Sequence, residues 1–147
     1  ALADDGAPLV LHVLQALASG QAVAKAQASE GISEAPMLAV SDAKVDWNTS
    51  AVVIDRLIRG VTPAPGAWTT LAGVRLRLGP VELVDAPQLE PGEVLASKRQ
   101  VLVGTADGVV ALGQVAPAGK KWMDAAAWAR GARLAEHTVL GQEVEAN

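Results

Sequence analysis

Pro63-Ala64-Pro65-Gly66-Ala67-Trp68-Thr69-Thr70-Leu71-Ala72-Gly73-Val74-Arg75-Leu76-Arg77-Leu78 marks a change from one kind of backbone to another. Pro63 and Pro65 lack an amide hydrogen and have a fixed φ, so no helix continues past them and the chain stays extended. Beyond them, Trp68 to Leu71 and Val74 to Leu78 flank Ala72-Gly73, which reads as a tight hairpin. Val74, Leu76 and Leu78 alternate with Arg75 and Arg77. A side-chain period of two places the first set in a core and the two guanidiniums on the opposite face of the strand.

Upstream of the prolines the period is helical. Ala51, Ile54, Leu57 and Ile58 form one buried stripe, Asn48 or Thr49 is placed to cap it, and Gly60 stops it. Arg56 and Arg59 are three residues apart and share a face of that helix. Downstream, Val81 to Val84 follows Gly79-Pro80, and Pro91-Gly92 turns into Glu93 to Ala96. Val101 to Thr105 and Val109 to Val115 flank Ala106-Asp107-Gly108. Asp124 caps a final helix, Ala125 to Arg130, closed by Gly131. About six short strands with flanking helices predict a mainly β domain, a small closed or partly open barrel.

The N-terminal part differs. Ala7 to Ala18 reads as a helix with one wide apolar face, made by Leu9, Val10, Val13, Leu14 and Leu17. A helix of this length is marginal alone in water, which predicts a partner surface. Gln21 to Lys44 is polar and weakly patterned, a linker pinned by the apolar Ala35-Pro36-Met37-Leu38. Such a stretch is long for a loop inside one domain and favours a connection between domains. The chain opens Ala1-Leu2-Ala3-Asp4 directly before an apparent helix. That predicts a fragment whose N-terminal neighbour is missing.

Composition removes several kinds of chemistry. Half of the 147 residues are hydrophobic, so the chain buries a core. There is no cysteine, and the two histidines, His12 and His137, have no ligand-spaced partners, so disulfides and metal sites are not expected. No apolar run reaches the length of a membrane span, and no basic segment precedes Leu9 to Leu17 as in a signal peptide. The expected compartment is the cytoplasm. Asn48-Thr49-Ser50 matches a glycosylation sequon, but reads better as a polar helix cap. Phosphate loops, zinc-protease motifs, nucleophile elbows and Ser–His–Asp sets are all missing.

Charge is uneven. The net charge is −4, which taken alone argues against a nucleic-acid partner. Residues 1–55 carry −5, residues 56–133 carry +4 and residues 134–147 carry −3. The middle is therefore a basic domain with acidic flanks. Its cations fall on several elements: Arg56 and Arg59, Arg75 and Arg77, Lys98-Arg99, Lys120-Lys121 after Pro117-Ala118-Gly119, and Arg130 and Arg133. That distribution suits a phosphate backbone, although each cation singly also suits a solvated surface. Trp47, Trp68, Trp122 and Trp128 are the only aromatics and are expected to anchor the core. Base-by-base reading of single strands is thereby disfavoured, and recognition of a folded RNA by shape and phosphate fits better.

An ordered set of short motifs resembles the methionyl-tRNA formyltransferase family. The set is Lys44-Val45-Asp46-Trp47, then Ile54-Asp55-Arg56-Leu57-Ile58-Arg59, then Pro63-x-Pro65-Gly66-Ala67-Trp68. Gly104-Thr105-Ala106-Asp107-Gly108 and Gln114-Val115-x-Pro117-Ala118-Gly119-Lys120-Lys121-x-Met123 follow. One departure is Ala64, where the family often has Trp between the prolines. The resemblance implies a Rossmann-like catalytic domain, absent here, that binds 10-formyltetrahydrofolate and carries the catalytic residues. It also implies an OB-like Greek-key barrel that helps to hold initiator methionyl-tRNA.

On that resemblance, residues 1–20 are the terminal helix of the missing domain and residues 21–44 the linker. Residues 45–135 are the tRNA-binding barrel and residues 136–147 an acidic tail. The cations expected to contact the tRNA are Arg56, Arg59, Arg75, Arg77, Lys120 and Lys121, and a monomer is expected; none of the family's catalytic residues maps onto this stretch, so no catalytic residue and no cofactor are expected in it. The chain alone is then expected to be inactive. In the whole enzyme the methionyl amine attacks the folate-borne formyl group. Two alternatives stand beside it: the barrel of another 10-formyltetrahydrofolate-using enzyme, and a purely structural or dimerisation barrel.

Overall fold

Trp47 ties the first strand to the segment before the central helix. Its buried indole N–H donates to the hydroxyl of Thr69, itself fully buried, at 3.0 Å. The computed structural model describes residues 2–142, with side chains from Asp4 onward. It divides into two compact units, with the boundary between Pro36 and Met37.

The first unit holds helix α1, Leu2–Ala18. It starts before the expected Ala7, with Asp4 and Asp5 in its first turn, where the helix dipole favours negative charge. Pro8 lies inside it and lacks the N–H of one helical bond. Leu9, Leu14 and Leu17 are exposed, as are Val10, Leu11 and Val13. The stretch 21–36 has no helix or strand.

In the second unit, a 3-10 turn, Ser41–Ala43, leads to α2, Ala51–Gly60. Eight strands follow: β1 Trp68–Leu71, β2 Val74–Leu78, β3 Val81–Val84, β4 Val94–Ala96, β5 Val101–Gly104, β6 Val109–Leu112, β7 Gln114–Pro117 and β8 Met123–Asp124. Helix α3, Ala125–Ala132, comes last. The strands form two antiparallel sheets, ordered β1-β2-β7-β8 and β3-β6-β5-β4. The mainly β expectation holds. Among the described residues, eight strands stand where about six were expected because Val109 to Val115 breaks at Gly113 and Met123–Asp124 adds a short strand.

The break has a packing cause. β2 pairs with β7 and β3 pairs with β6, so one long ladder passes from sheet to sheet at Gly79-Pro80 opposite Gly113. The Gly79 N–H donates to Gln114 O at 2.8 Å. A Cβ on Gly113 would come within 2.9 Å of the Pro80 carbonyl, so the corner requires a glycine there.

Ile54 and Ile58 of α2 pack into the shared core with Leu76, Leu78, Val101, Val103, Val110, Val115 and Trp128. Four local expectations change. The α2 cap is Ser50, whose hydroxyl accepts the Val53 N–H at 3.3 Å, while Asn48 bonds Asp46 instead. The linker's end is not pinned by Met37, which is fully exposed. It is held by hydrogen bonding, with the Trp68 indole N–H donating to Val40 O at 2.7 Å and the Val45 N–H donating to Trp68 O at 2.8 Å. α3 runs past Gly131 to Ala132 and ends on Arg133, which adopts the left-handed conformation at φ 50°. Val74, expected in the core, is exposed at the hairpin tip.

Residues 137–142, within the stretch read as an acidic tail, lie across the edges of both sheets. The Val94 N–H donates to Thr138 O, the Leu140 N–H to Gly92 O and the Gly141 N–H to Thr70 O, each at 2.8 Å. Leu140 is buried. Residues 143–147, the rest of that stretch, lie outside the described residues.

Candidate nucleic-acid interface

Pleating divides the sheet β1-β2-β7-β8 into two unlike faces. Thr69, Leu76, Leu78 and Val115 point into the core. The other face follows the register: Trp68 lies opposite Arg77, Arg77 opposite Ala116, and Thr70 opposite Arg75. Gln114 lies opposite Asp124, and alternation from Met123 brings Trp122 to the same face. Arg75 and Arg77 thus emerge on an outer face that also carries two tryptophans.

The two β2 guanidiniums meet rings rather than carboxylates. The Arg75 guanidinium lies 4.1 Å from the Trp68 ring centroid and Lys44 Nζ 5.7 Å from it. The Arg77 guanidinium lies 5.0 Å from the Trp122 ring centroid. Among the described residues, no carboxylate pairs with Arg75 or Arg77. A guanidinium held over an indole keeps its full charge and its N–H donors, and its plane is oriented by the ring. Lys120 and Lys121 lie on the turn between β7 and β8, where the Lys120 N–H donates to Pro117 O at 2.9 Å. Both lysines are exposed.

Arg75 and Arg77 therefore share the outer face of β2, Lys120 and Lys121 stand on the turn that leaves its neighbour β7, and Arg56 and Arg59 lie on another element. Those two lie on α2, which packs against β3 of the other sheet. Arg59 reaches back one turn, and its Nε and Nη2 both lie 3.0 Å from Asp55 Oδ2. The hydrogen bond to Asp55 and its charge raise the guanidinium pKa above its ordinary value. Arg56 is exposed on the same helix.

Trp47 and Trp128 are core anchors as expected. Trp68 is half-buried, and Trp122 is 45% exposed, which corrects the expectation of a core anchor there. The signal that could have shown it was the strand period: Trp122 is next to Met123, which packs on the core, so it belongs to the opposite face.

The Gly104–Gly108 motif has a structural role. Asp107 Oδ1 accepts the Ala51 N–H at 2.9 Å, so the β5–β6 turn caps α2 from across the sheet. Among the described residues, no group of three His, Asp or Glu could hold a metal ion, and no helix is long and apolar enough to cross a membrane. His12 is exposed on α1, and His137 pairs with Glu93, Nδ1 to Oε1, at 3.1 Å.

The second unit is thus mainly β, with the guanidiniums of β2 on an outer sheet face. Residues 37–133 match the family model for the formyl transferase C-terminal domain, and the chain belongs to that family. It is 50% identical to the methionyl-tRNA formyltransferase of Thermobifida fusca over 143 residues, covering 97% of this chain and 46% of that protein. It is 51% identical to that of a Nocardioides species, covering 95% of this chain and 45% of the relative. The chain thus spans a little under half the length of the curated relatives it matches. Among solved structures, HypX from Aquifex aeolicus shares the fold, with a TM-score of 0.60 at 22% identity, over 86% of this chain and 23% of that one. A further HypX structure, in complex with tetrahydrofolic acid, has a TM-score of 0.58.

Proposed function

We propose that this chain is the RNA-holding C-terminal portion of an enzyme that formylates the methionine on initiator tRNA, acting in the cytoplasm at translation initiation. About half of its residues are identical to those of methionyl-tRNA formyltransferases over nearly its whole length. The observation that carries the reading within the molecule is the outer face of β1-β2-β7-β8. There Arg75 and Arg77 lie over tryptophans and have no carboxylate partner among the described residues. Free cations on a rigid sheet can meet phosphates without first breaking an ion pair.

In this reading, 10-formyltetrahydrofolate and the reacting groups belong to the part of the enzyme upstream of this OB-like domain. Arg75, Arg77, Lys120 and Lys121 contact the tRNA backbone and place its methionyl end. Arg56 and Arg59 lie at the margin, Arg59 with its charge engaged by Asp55. Replacing Lys120 and Lys121 with Ala in the whole enzyme should weaken tRNA binding and lower its dependence on salt. Unchanged affinity and salt slope would sink the assignment. No binding of tRNA by the unaltered protein at low salt would favour a purely structural domain.

A further inference from the structure

Trp68 and Trp122 share one face but differ in what remains free. The Trp68 indole N–H is used by Val40 O, its ring lies under Arg75 and Lys44, and the side chain is half-buried. The Trp122 indole N–H has no partner among the described residues, and the side chain is 45% exposed. An indole left in water forfeits the burial that Trp47 and Trp128 obtain in the same domain. Trp122 stands in the turn between Lys121 and Met123, where Arg77 lies over its ring.

Its surroundings are chemically specific. The Arg77 guanidinium, 5.0 Å from the ring centroid, orients the indole from one side. Lys120 and Lys121 precede it on a turn held by the Lys120 N–H to Pro117 O. An exposed flat ring under a guanidinium, preceded in the chain by two exposed lysines, matches a nucleotide: a base for the ring and phosphates for the cations. Bases inside an A-form duplex are stacked on their neighbours and offer no free face, so the ring can accept only an unpaired one.

We propose that Trp122 stacks on an unpaired base of the bound RNA, while Lys120 and Lys121 take the phosphates beside that base. The proposal rests on the RNA-holding reading above and adds a preference to it: folded RNA with an exposed nucleotide over perfect duplex. Arg77 acts as a positioning residue for the ring as well as a phosphate contact.

The test uses the whole enzyme and two RNA probes, a hairpin with a single-stranded 3′ tail and a blunt duplex of equal length. Trp122→Ala should weaken binding of the tailed hairpin about five- to tenfold, the usual size of one lost base–aromatic stack. Duplex affinity should fall much less than that of the tailed hairpin, and the salt slope on both probes should stay near that of the unaltered protein, because no charge is removed. Trp122→Phe, which keeps a stacking surface, should recover most of the loss. Thermal unfolding of both variants at the wild-type temperature confirms that the fold is retained. Equal affinity of Trp122→Ala and wild type for the tailed hairpin would overturn the stacking assignment while leaving RNA binding intact. So would an equal loss on both probes. Failure of the unaltered protein to bind either RNA would overturn the RNA-holding reading and this proposal together.

Discussion

Arg56 and Arg59 on α2 and Arg75 and Arg77 on β2 look alike in the sequence: two guanidiniums per element, spaced to share one face. In the structure they differ in what they touch. Arg59 is folded back on Asp55, four residues earlier, and that bond lies in the water-facing layer of a helix. Among the described residues, Arg75 and Arg77 pair with no carboxylate and lie on indoles instead. An incoming phosphate must compete with Asp55 for Arg59, but it meets Arg75 and Arg77 unopposed. Spacing identifies which cations share a face, and their partners decide which are available for binding.

Trp47 belongs to neither pair but supports both, because it joins the segment before α2 to β1. Trp47→Ala removes a buried ring and leaves the Thr69 hydroxyl unbonded, and should cost about 3–5 kcal/mol in urea unfolding. If the loss falls well below that range, α2 and the sheet do not share one core. Next in size, Arg75→Ala with Arg77→Ala should lower tRNA affinity about tenfold at moderate salt, measured by filter binding on the whole enzyme. Arg56→Ala with Arg59→Ala removes the same formal charge and should change affinity less than about twofold. Equal losses from the two double variants would erase the distinction between the pairs.

The smallest effect concerns Glu93. Its carboxyl is held below the ordinary value of 4.5, first by the Glu90 backbone N–H and then by His137. A carboxylate whose pKa is depressed by folding adds stability above its unfolded value, and that stability is lost as pH falls through the folded value. Glu93→Gln should therefore flatten the fall in stability below about pH 4.5 without changing tRNA affinity at neutral pH. A change in affinity would place the His137 region inside the binding surface.

Much of the architecture was legible in the sequence. Pro63 and Pro65 marked the helix-to-strand change, and Ala72-Gly73 marked the first hairpin, because local backbone chemistry decides both. The sheet-to-sheet corner at Gly113 was not legible, since it depends on the approach of Pro80 from a distant strand. The α2 cap fell one residue on, at Ser50, because Asn48 is taken by Asp46; the added cap from Asp107, 56 residues away, was not legible at all. For the interface, alternation gave the faces of Arg75 and Arg77. It could not give the Asp55 bond that occupies Arg59, and the scarcity of aromatics misdirected Trp122 to the core. Pairing between side chains on a surface leaves little trace in a hydropathy pattern.

The salt dependence of initiator tRNA binding by the whole enzyme tests the central claim most directly. Plotted as log affinity against log salt, the slope should fall by about 1.5 when Arg75 and Arg77 are both replaced by Ala, near 0.7–0.9 for each lost phosphate contact. The same plot for Arg56→Ala with Arg59→Ala should keep the wild-type slope. An unchanged slope for the β2 pair, or a larger fall for the α2 pair, would contradict the assignment of this sheet face to RNA.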